Sequence, residues 1–186
     1  LWSLGLTIGH SIRTVDECIE NAEKDITIQT SLLDARFITG NRTLFHDMCN
    51  RYDHRMDPQA FFIAKMLETQ QRHQKFGDTP YSLEPNCKDG PGGLRDLQVI
   101  LWTAKAAKLG ASWNELAEKG LLTTSEAQQL YKKEHAFKDI RIRLHIQAQR
   151  EEDRLLFDLQ MPIAKTFGFQ KNGELLNPRA ASECMM

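Results

Sequence analysis

The chain has 186 residues, of which 41% are hydrophobic and 26% are charged, and its formal net charge is −1. This balance gives no electrostatic basis for binding nucleic acid or an anionic membrane, and no apolar run approaches the ~20 residues that cross a bilayer. The four cysteines are scattered without a C-x-x-C pair, which indicates neither a zinc site nor a disulfide framework. We expect a cytoplasmic protein of one domain, or one domain and part of another. Because the chain begins without methionine in a strand-like stretch, we also expect it to be excised from a longer protein.

The first 41 residues have the composition of a small α/β region. Even-numbered apolar residues from Trp2 to Ile8 alternate as they do in a half-buried strand. Thr14 and Glu17 have the spacing of a capping box, which predicts a helix beginning near residue 15. The stretch 26–39 is rich in β-branched residues and predicts a second strand.

From residue 42 onward the pattern is helical. The sequence predicts helices over about 42–50, 58–76, 92–109, 112–119, 124–150 and 159–167. Asp57 is placed to cap the second of these, with Pro58 at its first position. The predicted fold class is therefore mainly α, a helical bundle preceded by a short α/β piece.

The stretch LEPNCKDGPGGLRDLQVILW, residues 83–102, is the strongest candidate site. A helix start carries unpaired N–H groups and a partial positive charge, and Gly92 and Gly93 leave the backbone open to a ligand. Lys88 and Arg95 add full positive charge, which together suits a phosphate group. Asp96 is placed to stabilise the helix dipole, to pair with Lys88 or to meet a magnesium–phosphate complex. The alternative is a well-capped turn in which Arg95 pairs with Asp89 or Asp96.

Other charged residues are weaker candidates for lining a cleft. Asp34 and Arg36 would share one face of the predicted strand, where a carboxylate can bind metal or act as a base; otherwise they form an exposed pair. Arg141 and His145 lie one helical turn apart, a spacing more often structural than catalytic. Arg72 completes the candidates and would lie on a polar stripe of its helix.

Three blocks resemble a known family. They are LGLTIGHSIRTVDECIENAEKDITIQTSLLDARFITGN, RHQKFGDTPYSLEPNCKDGPGGLRDLQVILW and RLHIQAQREEDRLLFDLQMPIAKTFGF. In this order they look like the bacterial PII uridylyltransferase/uridylyl-removing enzymes, over nearly the whole chain. The motif LEPN-K-GPGGLRDLQ is the most specific, and a related block occurs in glutamine-synthetase adenylyltransferases.

The resemblance implies a nucleotidyltransferase of the polymerase-β type, which uses Mg²⁺ to transfer UMP from UTP to a tyrosine of the signalling protein PII. A separate HD domain would remove UMP, and two ACT domains would sense glutamine; both are expected beyond this chain. Residues 1–41 would then be the end of the catalytic α/β domain, and 42–186 its helical companion.

Several site assignments follow from the resemblance. Lys88, Gly92, Gly93, Arg95 and Asp96 would face the triphosphate, and Asp34 would be the third carboxylate of the sheet. The family's G-S…D-x-D metal motif is expected upstream, so no complete metal site is expected here and the chain alone should be inactive. Two alternatives stay open: a helical module that docks PII or a neighbouring domain without touching nucleotide, and a sister nucleotidyltransferase with a different target.

Overall fold

The computed structural model describes residues 9–168 in full, together with the backbone of two short strands beyond them. This described part is mainly helical, as predicted, and none of its helices is long and apolar enough to cross a bilayer. The chain divides into two compact units, residues 1–64 and 65–186. The predicted domain division after residue 41 stays a prediction.

The first unit is built from short helices. They are α1 (Val15–Lys24), α2 (Ile26–Leu33), α3 (Arg42–Arg55) and the beginning of α4 (Pro58–Lys75). The predicted capping box is present, because the Thr14 hydroxyl accepts from the Glu17 N–H while the Glu17 carboxylate accepts from the Thr14 N–H. The buried residues Ile19 and Tyr52 join α1 to α3, and the Tyr52 hydroxyl donates to the Gln29 carbonyl at 2.7 Å.

The strand predicted over 26–39 is wrong, because residues 26–33 form the helix α2. Asp25 caps it by accepting from the Thr27 N–H at 2.7 Å. The Thr30 and Ser31 hydroxyls donate to carbonyls one turn earlier, so the polar groups of these β-branched and short side chains are satisfied within a helix. Residues 9–14 form no strand, and the strand predicted over the first residues lies outside the described part. The α/β remnant is therefore not confirmed.

The described part of the second unit contains the end of α4 and four further helices. They are α5 (Leu94–Ala106), α6 (Trp113–Glu118), α7 (Thr124–Ala148) and α8 (Phe157–Thr166), followed by the antiparallel strands β1 (Gln170–Lys171) and β2 (Glu174–Leu175). Each helix lies where the sequence predicts one. The longest, α7, packs against α5, α6 and α8. One buried cluster surrounds Trp113 and Leu116, and another surrounds Leu144 and Ile163.

Local interactions define both ends of α7. Thr123 and Glu126 form a capping box at its start. At its other end Gln149 adopts a left-handed conformation with φ of 52°, which ends the helix. The chain then turns into the segment 150–156, which passes beside the loop that precedes α5.

Candidate functional site

The loop 76–93, between α4 and α5, is held in a defined shape. The Asn86 side chain accepts from the N–H groups of Lys88 and Asp89, at 3.0 and 2.7 Å. The loop also pairs with the segment 150–156, since the Cys87 N–H donates to the Asp153 carbonyl at 2.8 Å. The candidate residues of this stretch are therefore carried by an ordered turn.

The backbone at the start of α5 is not open to an anion. Its first N–H groups donate to nearby carbonyls, as Leu94 to Cys87, Arg95 to Lys88 and Asp96 to Gly93, at 3.0, 2.8 and 3.1 Å. The expectation of unpaired N–H groups at this helix start is wrong, because the preceding loop folds back and accepts from them. An anion here would have to be bound by side chains.

Gly93 is required by packing inside this turn. A Cβ added there would lie 2.9 Å from the Gly90 carbonyl oxygen and 3.0 Å from that of Lys88. Gly92 is different, because its φ is 76° and a Cβ there would meet nothing within 4 Å. Of the two glycines, only Gly92 leaves space beside it.

The Asp96 cluster joins α4 to α5. The Asp96 carboxylate accepts from Arg72 Nη2 at 2.6 Å and from the Gly92 N–H at 2.7 Å, and it lies 2.9 Å from His73 Nε2. Arg72 also donates to the Asp89 carbonyl at 2.8 Å. Burial raises the pKa of Asp96, but the hydrogen bonds from Arg72, His73 and Gly92 outweigh it and hold the pKa below its ordinary value. Asp96 is thus saturated by protein donors and does not pair with Lys88.

The Asp153 cluster joins α7 to the loop. Asp153 accepts from Arg141 Nε and lies 3.1 Å from His145 Nε2, and Lys88 Nζ approaches its other oxygen at 3.3 Å. Burial raises the pKa of Asp153. The hydrogen bonds from Arg141 and His145 and the charge of Lys88 lower it by more, so the pKa lies below its ordinary value. The one-turn spacing of Arg141 and His145 therefore gives a shared carboxylate partner.

Lys88 and Arg95 are held more loosely than Arg72. Arg95 Nε lies 3.3 Å from an Asp89 oxygen, the same distance as Lys88 from its carboxylate. Their side chains are 28% and 27% exposed, compared with 12% for Arg72. A second donor of Arg95 reaches Gln98 at 3.0 Å, and its guanidinium carbon lies 5.4 Å from the centre of the Trp102 ring. These two cations can exchange a carboxylate for another anion at a lower cost than Arg72 can.

Two of the cavities formed by the described residues adjoin the loop, and they share Pro80, Pro85, Asn86 and Pro91 as walls. One, of about 510 Å³, carries Lys75, Glu84 and Arg154. The other, of about 500 Å³, lies between the loop and α7 and is lined mainly by apolar groups. Both volumes fall in the range of small-molecule sites.

Asp34 and Arg36 lie in the first unit and are exposed. Asp34 follows the last residue of α2, so its predicted position on a strand is wrong. Within residues 9–168, no group of three His, Cys, Asp or Glu side chains could hold a metal ion. The Asp96 and Asp153 carboxylates are surrounded by cations, so the described residues do not fit a magnesium site.

Two important residues were not predicted from the sequence, namely His73 and Asp153. Of the two partners expected for Arg95, Asp89 is the one that it contacts. His73 lies in the polar end of α4 and Asp153 in the acidic run after α7. The Arg141–His145 spacing was a signal that a carboxylate should lie opposite. The pairing of Asp153 with Lys88 could not be predicted, because the two residues are far apart in the sequence.

Comparison with known proteins agrees with the resemblance seen in the motifs. The bifunctional uridylyltransferase/uridylyl-removing enzyme of Cupriavidus pinatubonensis is 58% identical over 184 residues, covering 99% of this chain and 21% of that protein. Those of Cupriavidus metallidurans and Burkholderia mallei are each 54% identical, over 99% and 100% of this chain and 21% of each relative. The chain thus spans about a fifth of the length of the curated relatives it matches.

No solved structure matches the chain. The family model described as GlnD PII-uridylyltransferase matches residues 60–185, which include the Asp96 and Asp153 clusters and the loop 76–93. The chain therefore belongs to the GlnD PII-uridylyltransferase family.

Proposed function

We propose that this chain is part of a bifunctional enzyme that transfers UMP from UTP to a tyrosine of PII, and that Lys88 and Arg95 bind the triphosphate. The observation that supports the assignment is the pair of loosely held cations, Lys88 on the ordered loop and Arg95 at the start of α5, each 3.3 Å from its carboxylate. The family supplies the substrate class, since the relatives are named uridylyltransferase/uridylyl-removing enzymes.

The two cations differ in how much freedom they would lose on binding. Arg95 is on the first turn of α5 and is already positioned by Gln98 and the face of Trp102. Lys88 is on the loop, with a flexible side chain in a single ion pair. Because a guanidinium also matches two phosphate oxygens at once, Arg95 contributes more to triphosphate binding than Lys88.

The described residues do not fit a Mg²⁺ site. The role proposed for this chain is binding and orientation of substrate. For the whole enzyme, the same proposal includes a polymerase-β-type sheet, a cytoplasmic location and control by glutamine through other domains.

The test is steady-state kinetics of the full-length enzyme with PII and varied UTP. Arg95→Ala should raise the KM for UTP about ten- to a hundredfold, because charge-assisted hydrogen bonds are worth ~1.5–3 kcal/mol and ~1.4 kcal/mol is tenfold. Lys88→Ala should have a smaller effect in the same direction. Lys132→Ala, at an exposed lysine of α7, is the matched control and should change nothing. Unchanged UTP kinetics in Arg95→Ala, with a lowered melting temperature, would make the stretch a structural corner only.

A second candidate function is protein docking without nucleotide contact. It is favoured by the exposed apolar side chains along α7, where Tyr131, Ile142 and Ile146 are 54%, 57% and 71% exposed. If this reading is right, Ile142→Asp weakens PII binding while Arg95→Ala leaves the KM for UTP unchanged. The same kinetic experiment therefore decides between the two.

A further inference from the structure

The cavity between α7 and the loop, here called the α7 slot, has a volume of about 500 Å³. One wall is a single face of α7, formed by Lys133, Ala136, Phe137 and Ile140. The opposite wall is the loop backbone around Gly92 and Gly93, together with Pro80, Pro85 and Pro91. Leu155 also lines the slot. It is large enough for a nucleoside-sized ligand.

The slot is formed before any ligand arrives. Proline fixes one backbone angle, and three prolines lie in its wall. The Asn86 turn and the pairing of Cys87 with Asp153 fix the loop further. A ligand entering the slot would therefore pay little for ordering the protein, which favours binding of a small rigid group.

The lining of the slot suits a flat group with apolar faces. Phe137, Ile140 and Leu155 provide apolar contact, and Tyr81 adds an aromatic ring that is 81% exposed. A nucleobase has two apolar faces and is bound in many proteins by stacking on aromatic side chains. Lys133 is the charged residue in the wall, and it favours a ligand that also carries negative charge.

The carboxylate that holds Lys88 lies close to one end of the slot, because its partner Arg141 is one helical turn beyond Phe137 on α7. Cys87 lines the slot and precedes Lys88, and Gly93 lines it two residues before Arg95. Space beside Gly92 is open, because a Cβ there would meet no atom within 4 Å. A ligand with its anionic end at Lys88 would thus reach the slot with its other end.

We propose that the α7 slot binds the uracil base of the UTP whose phosphates contact Lys88 and Arg95. The inference rests on the proposed function for the phosphate end, and it assigns a separate region of the protein to the base. Phe137 and Tyr81 contact the base, and Lys133 adds positive charge near the phosphates.

The test fills the slot without removing a core side chain. Ala136 is exposed on α7 and lines the slot, so Ala136→Leu adds bulk into it while keeping a good helix former. Gln128→Leu, at an exposed position of the same helix outside the slot, is the matched control. Phe137→Ala is a second variant, interpreted only where its melting temperature is unchanged, because Phe137 also packs on the core.

Binding of UTP and of inorganic tripolyphosphate to the full-length enzyme is measured for each variant by calorimetry. Ala136→Leu should weaken UTP about ten- to a hundredfold, a loss comparable to base stacking, and leave tripolyphosphate unchanged. Arg95→Ala should weaken both ligands, so a failure of the phosphate assignment shows itself separately. Unchanged UTP binding in Ala136→Leu overturns the proposal, and so does weakened PII binding with unchanged UTP, which would make the slot a protein-docking site.

Discussion

Replacing Asp96 by asparagine should destabilise the second unit by about 2–3 kcal/mol. The substitution keeps the shape of the side chain but removes the charge that Arg72 and His73 approach at 2.6 and 2.9 Å. It also replaces one of the two acceptor oxygens by an NH₂ group, so either the Gly92 N–H or the Arg72 and His73 donors lose their acceptor. Arg72, only 12% exposed, would be left as a cation without a full counter-charge.

The magnitude follows from the burial of the pair. Breaking a fully buried ion pair costs about 3–5 kcal/mol, and losing a charge-assisted hydrogen bond costs about 1.5–3 kcal/mol. The Asp96 side chain is 23% exposed, so solvent screens part of the lost interaction. The expected loss therefore lies in the upper part of the hydrogen-bond range and below the range for a fully buried ion pair. A figure of about 2–3 kcal/mol is the result.

The assay is urea unfolding of the 186-residue chain, followed by circular dichroism. Asp139→Asn is the control, because Asp139 pairs with Arg143 one turn away on α7 and is 46% exposed, where a surface pair contributes about 0–1 kcal/mol. If Asp96→Asn unfolds within about 0.5 kcal/mol of wild type, or no further from it than the control, the Asp96 cluster is not a stabilising element and the reasoning fails.

Further predictions concern the core, the glycines and pH. Leu144→Ala should lower the free energy of unfolding by about 2–5 kcal/mol, because Leu144 is 0% exposed. Ile142→Ala, on the exposed face of α7, should change it by no more than about 0.5 kcal/mol. Equal losses in urea unfolding would contradict this. Gly93→Ala should lower the free energy of unfolding by about 1–3 kcal/mol, because the added Cβ clashes with the Gly90 carbonyl. Gly92→Ala should lower it by about 1–2 kcal/mol through the positive φ alone. A Gly93→Ala protein as stable as wild type would refute the packing role. Asp96 and Asp153 have lowered pKa values in the folded state, so the stability that they contribute is complete above the ordinary aspartate pKa of about 3.9 and is lost as pH falls through the lower folded pKa. Urea midpoints measured between about pH 6 and about pH 3 should therefore fall less steeply in the Asp96→Asn, Asp153→Asn double variant.

The helices were predictable where the chain carries a start signal. Thr14 with Glu17 and Asp57 with Pro58 each mark a helix that begins where expected, because capping is a local interaction that the sequence states directly. The prediction failed at α2, where β-branched residues were taken as a strand. The N-cap Asp25 and the helical hydroxyl bonds of Thr30 decide that segment, together with packing against Tyr52.

The turn before α5 was predictable from the sequence, whereas most pairings of its charged side chains were not. The motif around Gly92 and Gly93 indicated a turn that carries cations, and it is one. The sequence could not show that the helix N–H groups are occupied, since this depends on how the loop folds back. It also could not show that Lys88 pairs with Asp153 and not with Asp96, because that contact joins segments far apart in the chain.

The block GGLRD therefore combines three different physical roles in adjacent residues. Gly93 has no side chain because carbonyl oxygens occupy the space, and Asp96 is bound so tightly that it serves the fold. Arg95 lies between them with a longer and more exposed ion pair. A cation that is fixed in position but weakly paired is what an exchangeable anion site requires, because the rigid neighbours hold its geometry while little energy is lost when its carboxylate partner is displaced. The distinction between Arg72 and Arg95 thus rests on distance and exposure, and the two substitutions Arg95→Ala and Asp96→Asn should separate substrate affinity from stability.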